Sequence, residues 1–296
     1  AGGGRSGAHG HRFQAEPRTL VTGLPAEAAL GIAQLVNLEP SELRKRTFGG
    51  KQAIIDEIAE NGTEEDKECL QYVLHEEAGS SPLCFGNSPF PRDCDENGVR
   101  PDRKVEATGK GMRFQDFVQQ QLCVTARLEE AHVLALRLYT TAAFVSINSP
   151  LRDAARTQPH PLAATVWFLS EGIKQLRACG SYLADAQREV TLWRGMKNLR
   201  LDEGFLQKGG SERAPMSTTS SLQVAAAYSS SECSLFFKLK TASFMERGVN
   251  IVFLSAFPAE AEYLFSPLTY LLPTGKTQEM QVNGSQITIV EVPPKM

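Results

Sequence analysis

FLSAFPAEAEYLFSPLTYLL, residues 253–272, decides how the second half of the chain is read. Glu262-Tyr-Leu-Phe265 and Tyr270-Leu-Leu272 are short, β-forming apolar runs. Ser266-Pro267 separates them, a pair that ends one strand and turns the chain toward the next. Working outward, the same character recurs at Val190–Arg194, Ser234–Lys240, Asn250–Leu254 and Gln286–Val292, each bounded by Gly, Pro or Ser. Upstream of Gly180 the period changes to that of helices. Phe114 to Ser146 predicts one amphipathic helix, with Phe117, Val118, Leu122, Leu128, Val133, Leu136 and Tyr139 in register. After Pro159-His160-Pro161 a second helix is predicted over Leu162–Ala178, led by Val166, Trp167, Leu169, Ile173 and Leu176. Helices followed by strands predict an α+β fold, with helices packed on a mostly antiparallel sheet.

The chain has 296 residues, 42% hydrophobic and 22% charged, which is ordinary globular usage and excludes global disorder. Lys plus Arg is 31 and Asp plus Glu is 34, a net charge of −3. That balance argues against a protein built to coat nucleic acid or an anionic membrane. No apolar run approaches the eighteen or so residues that a membrane span needs. The opening AGGGRSGAHGHRF starts with Ala1 and has no apolar core, so we expect a trimmed chain or fragment without a signal peptide, and a cytoplasmic setting.

The organisation expected is a disordered lead-in over 1–18, a helical module over 19–79, a linker or wrapping loop over 80–105, and a catalytic domain over 106–296. In the helical module Ser41 is the expected N-cap of a helix starting near Pro40. Glu39 to Glu77 holds eleven acidic and five basic residues, a solvated acidic face in the plain reading. The six cysteines at 69, 84, 94, 123, 179 and 233 form no C-x-x-C pair and stand at no metal spacing from histidine. They read as reduced packing residues, and no metal is expected. A Cys84–Cys94 bridge would close a short loop, which spacing alone leaves open.

Familiar nucleotide signals fail. Gly275-Lys-Thr277 ends like a P-loop, but Tyr270 stands where the first glycine is needed. Gly109-Lys-Gly111 lacks the third glycine of a dinucleotide fingerprint. His75-Glu-Glu77 lacks a second histidine, there is no G-x-S-x-G elbow, and His132 inside a helix reads as structural.

Three polar elements remain along the strands: Arg194-Gly195 within an apolar run, Ser217-Thr218-Thr219 leading into a helix at Leu222–Tyr228, and Glu260 with Glu262. At strand spacing the two carboxylates would point the same way about 7 Å apart, a repulsion that packing does not explain. In order, LWRGM (192–196), APMSTTSS (214–221) and FLSAFPAEAEYLFSPLTYLL (253–272) resemble the arginine–serine–glutamate class of mono-ADP-ribosyltransferases. Within that class the likeness is to the arginine-modifying branch that includes the vertebrate ecto-enzymes. The resemblance covers about residues 106–292, with Thr219 standing where the family's S-x-S carries its second serine.

The resemblance implies a split, mostly antiparallel β core with an NAD cleft. It implies NAD as co-substrate, a protein arginine as acceptor, and neither metal nor nucleic acid. NAD contacts would come from Arg194, Gly195, Ser217, Thr218 and Glu262. Arg194 would bind the phosphates and brace the site, the Gly195 backbone would meet the nicotinamide amide, and Ser217 would orient the ribose and the glutamate. Glu262 would hold the ribose and stabilise the cation-like transition state, while Glu260 would face the acceptor guanidinium. The competing readings are an NAD glycohydrolase on the same fold and a silent interaction module. Every implied site residue follows Gly180, so the first 79 residues are expected to be dispensable for NAD cleavage.

Overall fold

The computed structural model describes residues 18–19, 31–74, 112–180, 186–201, 203–282 and 285–295. The lead-in expected over 1–18, apart from Arg18, and the loop expected over 80–105 lie outside the described residues. So do His75, Cys84, Cys94 and Gly109–Gly111. Two compact units make up the chain.

The first unit takes the described residues of Gly31–Cys179 together with Val252–Ala259. Its helices are α1 (Ile32–Leu35), α2 (Pro40–Thr47), α3 (Lys51–Asn61), α4 (Glu64–Val73), α5 (Phe114–Val118), α6 (Gln121–Thr125), α7 (Glu130–Tyr139), α8 (Phe144–Arg152) and α9 (Ala163–Ala178). Pro40, at the first helical position, moves the α2 N-cap to Glu39 and away from Ser41. Every residue of α7 from Ala131 to Tyr139 is buried, which makes it the unit's central helix. α3, α4 and α9 all pack on it. The expected separation of an acidic module is therefore not what the described chain displays. Ile54, Ile58, Leu70 and Val73 are buried in the same unit as Val133, Leu136 and Leu169.

A buried carboxylate ties the early helices to α9. Glu57 on α3 accepts from the N–H groups of Ala164 (2.9 Å) and Thr165 (3.0 Å) and from the Thr165 hydroxyl (2.9 Å). It thus caps a helix more than a hundred residues away and meets the positive end of that helix's dipole. Burial raises the Glu57 carboxyl above its ordinary pKa, against the pull of these hydrogen bonds.

The single helix expected over Phe114–Ser146 is broken into α5, α6, α7 and the start of α8. Arg127 takes a left-handed φ of 55° after α6, and the Glu129 N–H donates to His132 Nδ1 (3.1 Å) to begin α7. The Thr140 and Thr141 hydroxyls donate back to the Arg137 and Leu138 carbonyls, where α7 ends. His132 is buried against Phe168, and its imidazole pKa is lowered by that burial. Cys69 and Cys123 are buried free thiols pushed up to about 11 and about 12, inert packing residues as their spacing predicts.

The second unit takes the described residues of Gly180–Ile251 and Glu260–Met296, with Arg18–Thr19. Its strands are β1 (Arg18–Thr19), β2 (Val190–Lys197), β3 (Leu199–Arg200), β4 (Gly210–Glu212), β5 (Met216–Thr219), β6 (Cys233–Thr241), β7 (Val249–Asn250), β8 (Glu262–Phe265), β9 (Thr269–Leu271), β10 (Thr277–Val282), β11 (Ser285–Glu291) and β12 (Pro294–Lys295). Helices α10 (Glu203–Lys208) and α11 (Leu222–Ser229) interrupt them. Seven strands form one sheet in the order β10-β11-β6-β2-β5-β8-β7, antiparallel except for β11 beside β6. β12, β9 and β4 form a second, antiparallel sheet, and β1 pairs with β3 in parallel.

Alternation along the strands builds the core. Leu192 and Met196 on β2 share a face with Leu235, Phe237 and Leu239 on β6, Met216 on β5 and Phe265 on β8, and all are buried in one cluster. The strand expected over Asn250–Leu254 ends at Asn250. The next segment finds its backbone partners on α7. Arg137 Nη1 donates to the Leu254 carbonyl (2.8 Å), and the Ala256 N–H donates to the Thr140 hydroxyl (3.0 Å).

Candidate active site

β2 and β5 are joined by a single residue pair, Trp193 with Thr219, so the seven-stranded sheet opens between them. Thr219 in turn stands opposite Glu262 on β8. Partners across antiparallel strands share a face, so Trp193, Thr219 and Glu262 line up on the side away from the core. Gly195 and Ser217 project to that side as well, by alternation from Trp193 and Thr219. Lys238 pairs with Trp193 and sets its ammonium 5.4 Å from the indole centroid. Glu262 is 1% exposed and Ser217 is half-buried.

Gly195 has a packing reason to be glycine. A Cβ there would lie 2.1 Å from the Ala225 carbonyl oxygen of α11, so the helix can rest on β2 only because nothing projects.

Arg194 is placed differently from the rest. It stands between Leu192 and Met196 on the core face and pairs with Phe237, on the opposite side of the sheet from Glu262. Its Nη1 donates to the Ser217 carbonyl (3.2 Å), and its Nη2 lies 3.5 Å from Glu212 Oε2 at the end of β4. Both side chains of that ion pair are 15% exposed. Glu212 Oε1 accepts from the Ala214 N–H (3.1 Å), which fixes the turn into β5. The guanidinium therefore braces the opening between β2 and β5 and ties it to β4. Thr218, on the core face, spends its hydroxyl on the Tyr263 carbonyl (2.9 Å).

Glu260 is not on a strand. Pro258–Glu260 is a 3₁₀ turn, and Ala261 follows with φ 48°, a left-handed conformation that costs a non-glycine residue about 1 kcal/mol. The strand spacing expected between the two glutamates is thereby replaced by a turn and a strand start. Glu260 is nevertheless buried, 9% exposed. The Thr219 hydroxyl donates to its carbonyl (2.6 Å), and the Tyr228 hydroxyl of α11 donates to its Oε1 (2.6 Å). The Ser221 N–H donates to Thr219 Oγ1 (3.0 Å), so that hydroxyl both gives and takes. Threonine at the second hydroxyl position thus keeps a donor where it is used.

Ser217, Thr219, Glu260 and Glu262 are brought together along β5 and β8, with Trp193 and Gly195 beside them on β2. Glu212 and Tyr228 were not legible as partners, because their contacts bridge 18 and 32 residues of chain. Among the described residues no group of His, Cys, Asp or Glu could hold a metal ion, and no helix is long and apolar enough to cross a membrane.

With this arrangement in view, comparison with known families is direct. The sequence model of the NAD:arginine ADP-ribosyltransferase family matches residues 104–292, and the chain belongs to that family. Its fold is that of the ADP-ribosyltransferases. Among solved structures it is similar to the ADP-ribosyltransferase HopU1 of Pseudomonas syringae pv. Tomato DC3000, at 16% identity over 78% of this chain and 98% of that one, with a TM-score of 0.46. It is similar to the eucaryotic mono-ADP-ribosyltransferase ART2.2, at 16% identity over 86% and 87%, TM-score 0.45. A third similar structure is the Vis toxin from Vibrio splendidus, at 19% identity over 60% and 81%, TM-score 0.43. No curated protein matches the chain in sequence. Members of this family use NAD as substrate, so the chain is a transferase of ADP-ribose by class.

Proposed function

We propose that this protein transfers ADP-ribose from NAD to an arginine side chain of a protein acceptor and releases nicotinamide. The observation that carries the reading is the alignment of Trp193, Thr219 and Glu262 across the opening between β2 and β5, with Glu260 held beside them. The nicotinamide–ribose bond breaks with its electron pair going to nicotinamide, which leaves neutral and strands positive charge on the ribose. The Glu262 carboxylate, 1% exposed, stabilises that charge and holds the ribose hydroxyl. A guanidinium nitrogen then attacks the ribose carbon, and its proton passes to the Glu260 carboxylate as the bond forms. Ser217 orients the ribose from β5. Arg194 acts by holding the Ser217 backbone in place.

The test uses labelled NAD with agmatine, a free guanidino acceptor. The wild type should form the adduct. Glu262→Gln should reduce adduct formation and NAD hydrolysis alike by about 10² to 10³, the usual cost of removing one such electrostatic group. Glu260→Gln should lower adduct formation by about 10² or more, leaving a measurable residue, while hydrolysis by water continues. A wild type that hydrolyses NAD and never modifies agmatine would replace this reading with a glycohydrolase or a different acceptor.

A further inference from the structure

We infer that Tyr228 is a positioning residue that aims the Glu260 carboxylate at the acceptor and so favours a guanidinium over water. The inference rests on the arginine-transferase reading above and adds to it a residue outside the arginine–serine–glutamate pattern. Tyr228 lies on α11, whose N-terminus is capped by the Ser221 hydroxyl accepting from the Val224 N–H. Ala225, Tyr228 and Ser229 fall on one side of this helix by their three- and four-residue spacing. Ala225 and Ser229 are the residues that a Cβ at Gly195 would strike, so that side rests on β2. The missing side chain at Gly195 therefore sets how low α11 sits. That depth brings the Tyr228 hydroxyl to 2.6 Å from Glu260 Oε1, the length of a charge-assisted O–H···O⁻ bond.

Glu260 needs such a hold. It leaves the sheet in a 3₁₀ turn and precedes a left-handed alanine, so no strand ladder fixes it. Its main chain is held from β5 by Thr219, and its carboxylate from α11 by Tyr228. A carboxylate that must meet a planar guanidinium gains from a fixed direction. Attack by water, which arrives from any orientation, gains little. Tyr228 thus acts through Glu260 on the choice of acceptor.

A double-mutant cycle with Tyr228→Phe and Glu260→Gln tests this on the intact chain. Tyr228→Phe should lower the ratio of agmatine transfer to NAD hydrolysis about tenfold, the effect of one hydrogen bond to a charged group. The loss should fall on kcat for transfer, with KM for NAD moving by no more than about twofold. In the Glu260→Gln background the same change should alter the ratio by less than about twofold, and Tyr228→Phe should be coupled in urea unfolding to Glu260→Ala, which removes the acceptor outright. Additive effects in the kinetic cycle, or no coupling in the unfolding cycle, would overturn the inference. The unfolding cycle needs no acceptor. An uncoupled pair in an enzyme that modifies agmatine sinks the role of Tyr228 alone. A coupled pair in an enzyme that leaves agmatine untouched sinks the arginine reading, and the acceptor role of Tyr228 with it.

Discussion

Arg194 makes its contribution through geometry that lysine cannot copy. One nitrogen reaches the Ser217 carbonyl and another the Glu212 carboxylate, a fork that a single ammonium cannot span. Arg194→Lys keeps the charge but loses one of the two anchors, so β5 is no longer braced against β4. We expect NAD affinity in a calorimetric titration to fall about tenfold or more, the size of one charge-assisted bond. Stability to urea should fall by about 1 kcal/mol. Unchanged affinity with lowered stability would confine Arg194 to the fold. Serine, threonine and glutamate in the site were legible in the sequence as chemistry. Their neighbours were not, because Tyr228 and Glu212 are common residues whose meaning comes only from what they touch.

The N-terminus of α9 is an element whose stability is supplied from elsewhere. Its first N–H groups are buried and satisfied by Glu57, with the residue before the helix, Leu162, donating to His160 Nδ1 (2.9 Å). Glu57→Ala would leave the Ala164 and Thr165 N–H groups buried without that carboxylate. The expected loss is about 2–3 kcal/mol in urea unfolding, with Glu57→Gln costing about half as much because one amide oxygen still accepts. The strands were the easier elements to read. Val190–Arg194, Glu262–Phe265 and Gln286–Val292 each overlap an observed strand. β4 and β5 escaped because GSE and MSTT carry little alternation and are strands only through their neighbours β9 and β8.

Because the early helices share a core with α7 and α9, a chain starting near Pro82 should not keep the first unit folded. Removing the packing of Ile54, Ile58, Leu70 and Val73 uncovers α7, which has no polar side to present to water. We expect such a chain to lose its near-ultraviolet circular dichroism and its NAD cleavage together. A folded, active truncation would restore the independent module. The whole chain should also weaken in acid through His160. Burial is the main cause that lowers its imidazole pKa from 6.5 to about 4, and its Nε2 sits 3.0 Å from the Ile147 carbonyl while Nδ1 accepts from Leu162. Between those values the unfolded chain takes up a proton that the folded one refuses, so stability falls as pH falls from 6.5 toward 4. Glu57, raised by burial, works in the opposite direction. The wild type should therefore lose on the order of 2–3 kcal/mol more than His160→Gln across that window, read by urea unfolding at each pH.

Local chemistry and period were determined by the sequence alone: helices before Gly180, short strands after it, and an ordered set of arginine, hydroxyl and paired glutamates at strand ends. These are properties of neighbouring residues, and alternation or helical spacing records them. The direction of each side chain was decided only by the tertiary structure. Arg194 points to the core face because β2 pairs with β6 in a register that sets it beside Phe237, and no local pattern states a register. Glu260 leaves the strand because a proline turn and a left-handed alanine are stabilised by Thr219 and Tyr228, contacts that exist only once β5 and α11 are in place. The acidic helices joined the core for the same reason. A solvated face and a buried face can share one helix, and what covers the buried face lies far along the chain, on α7 and α9.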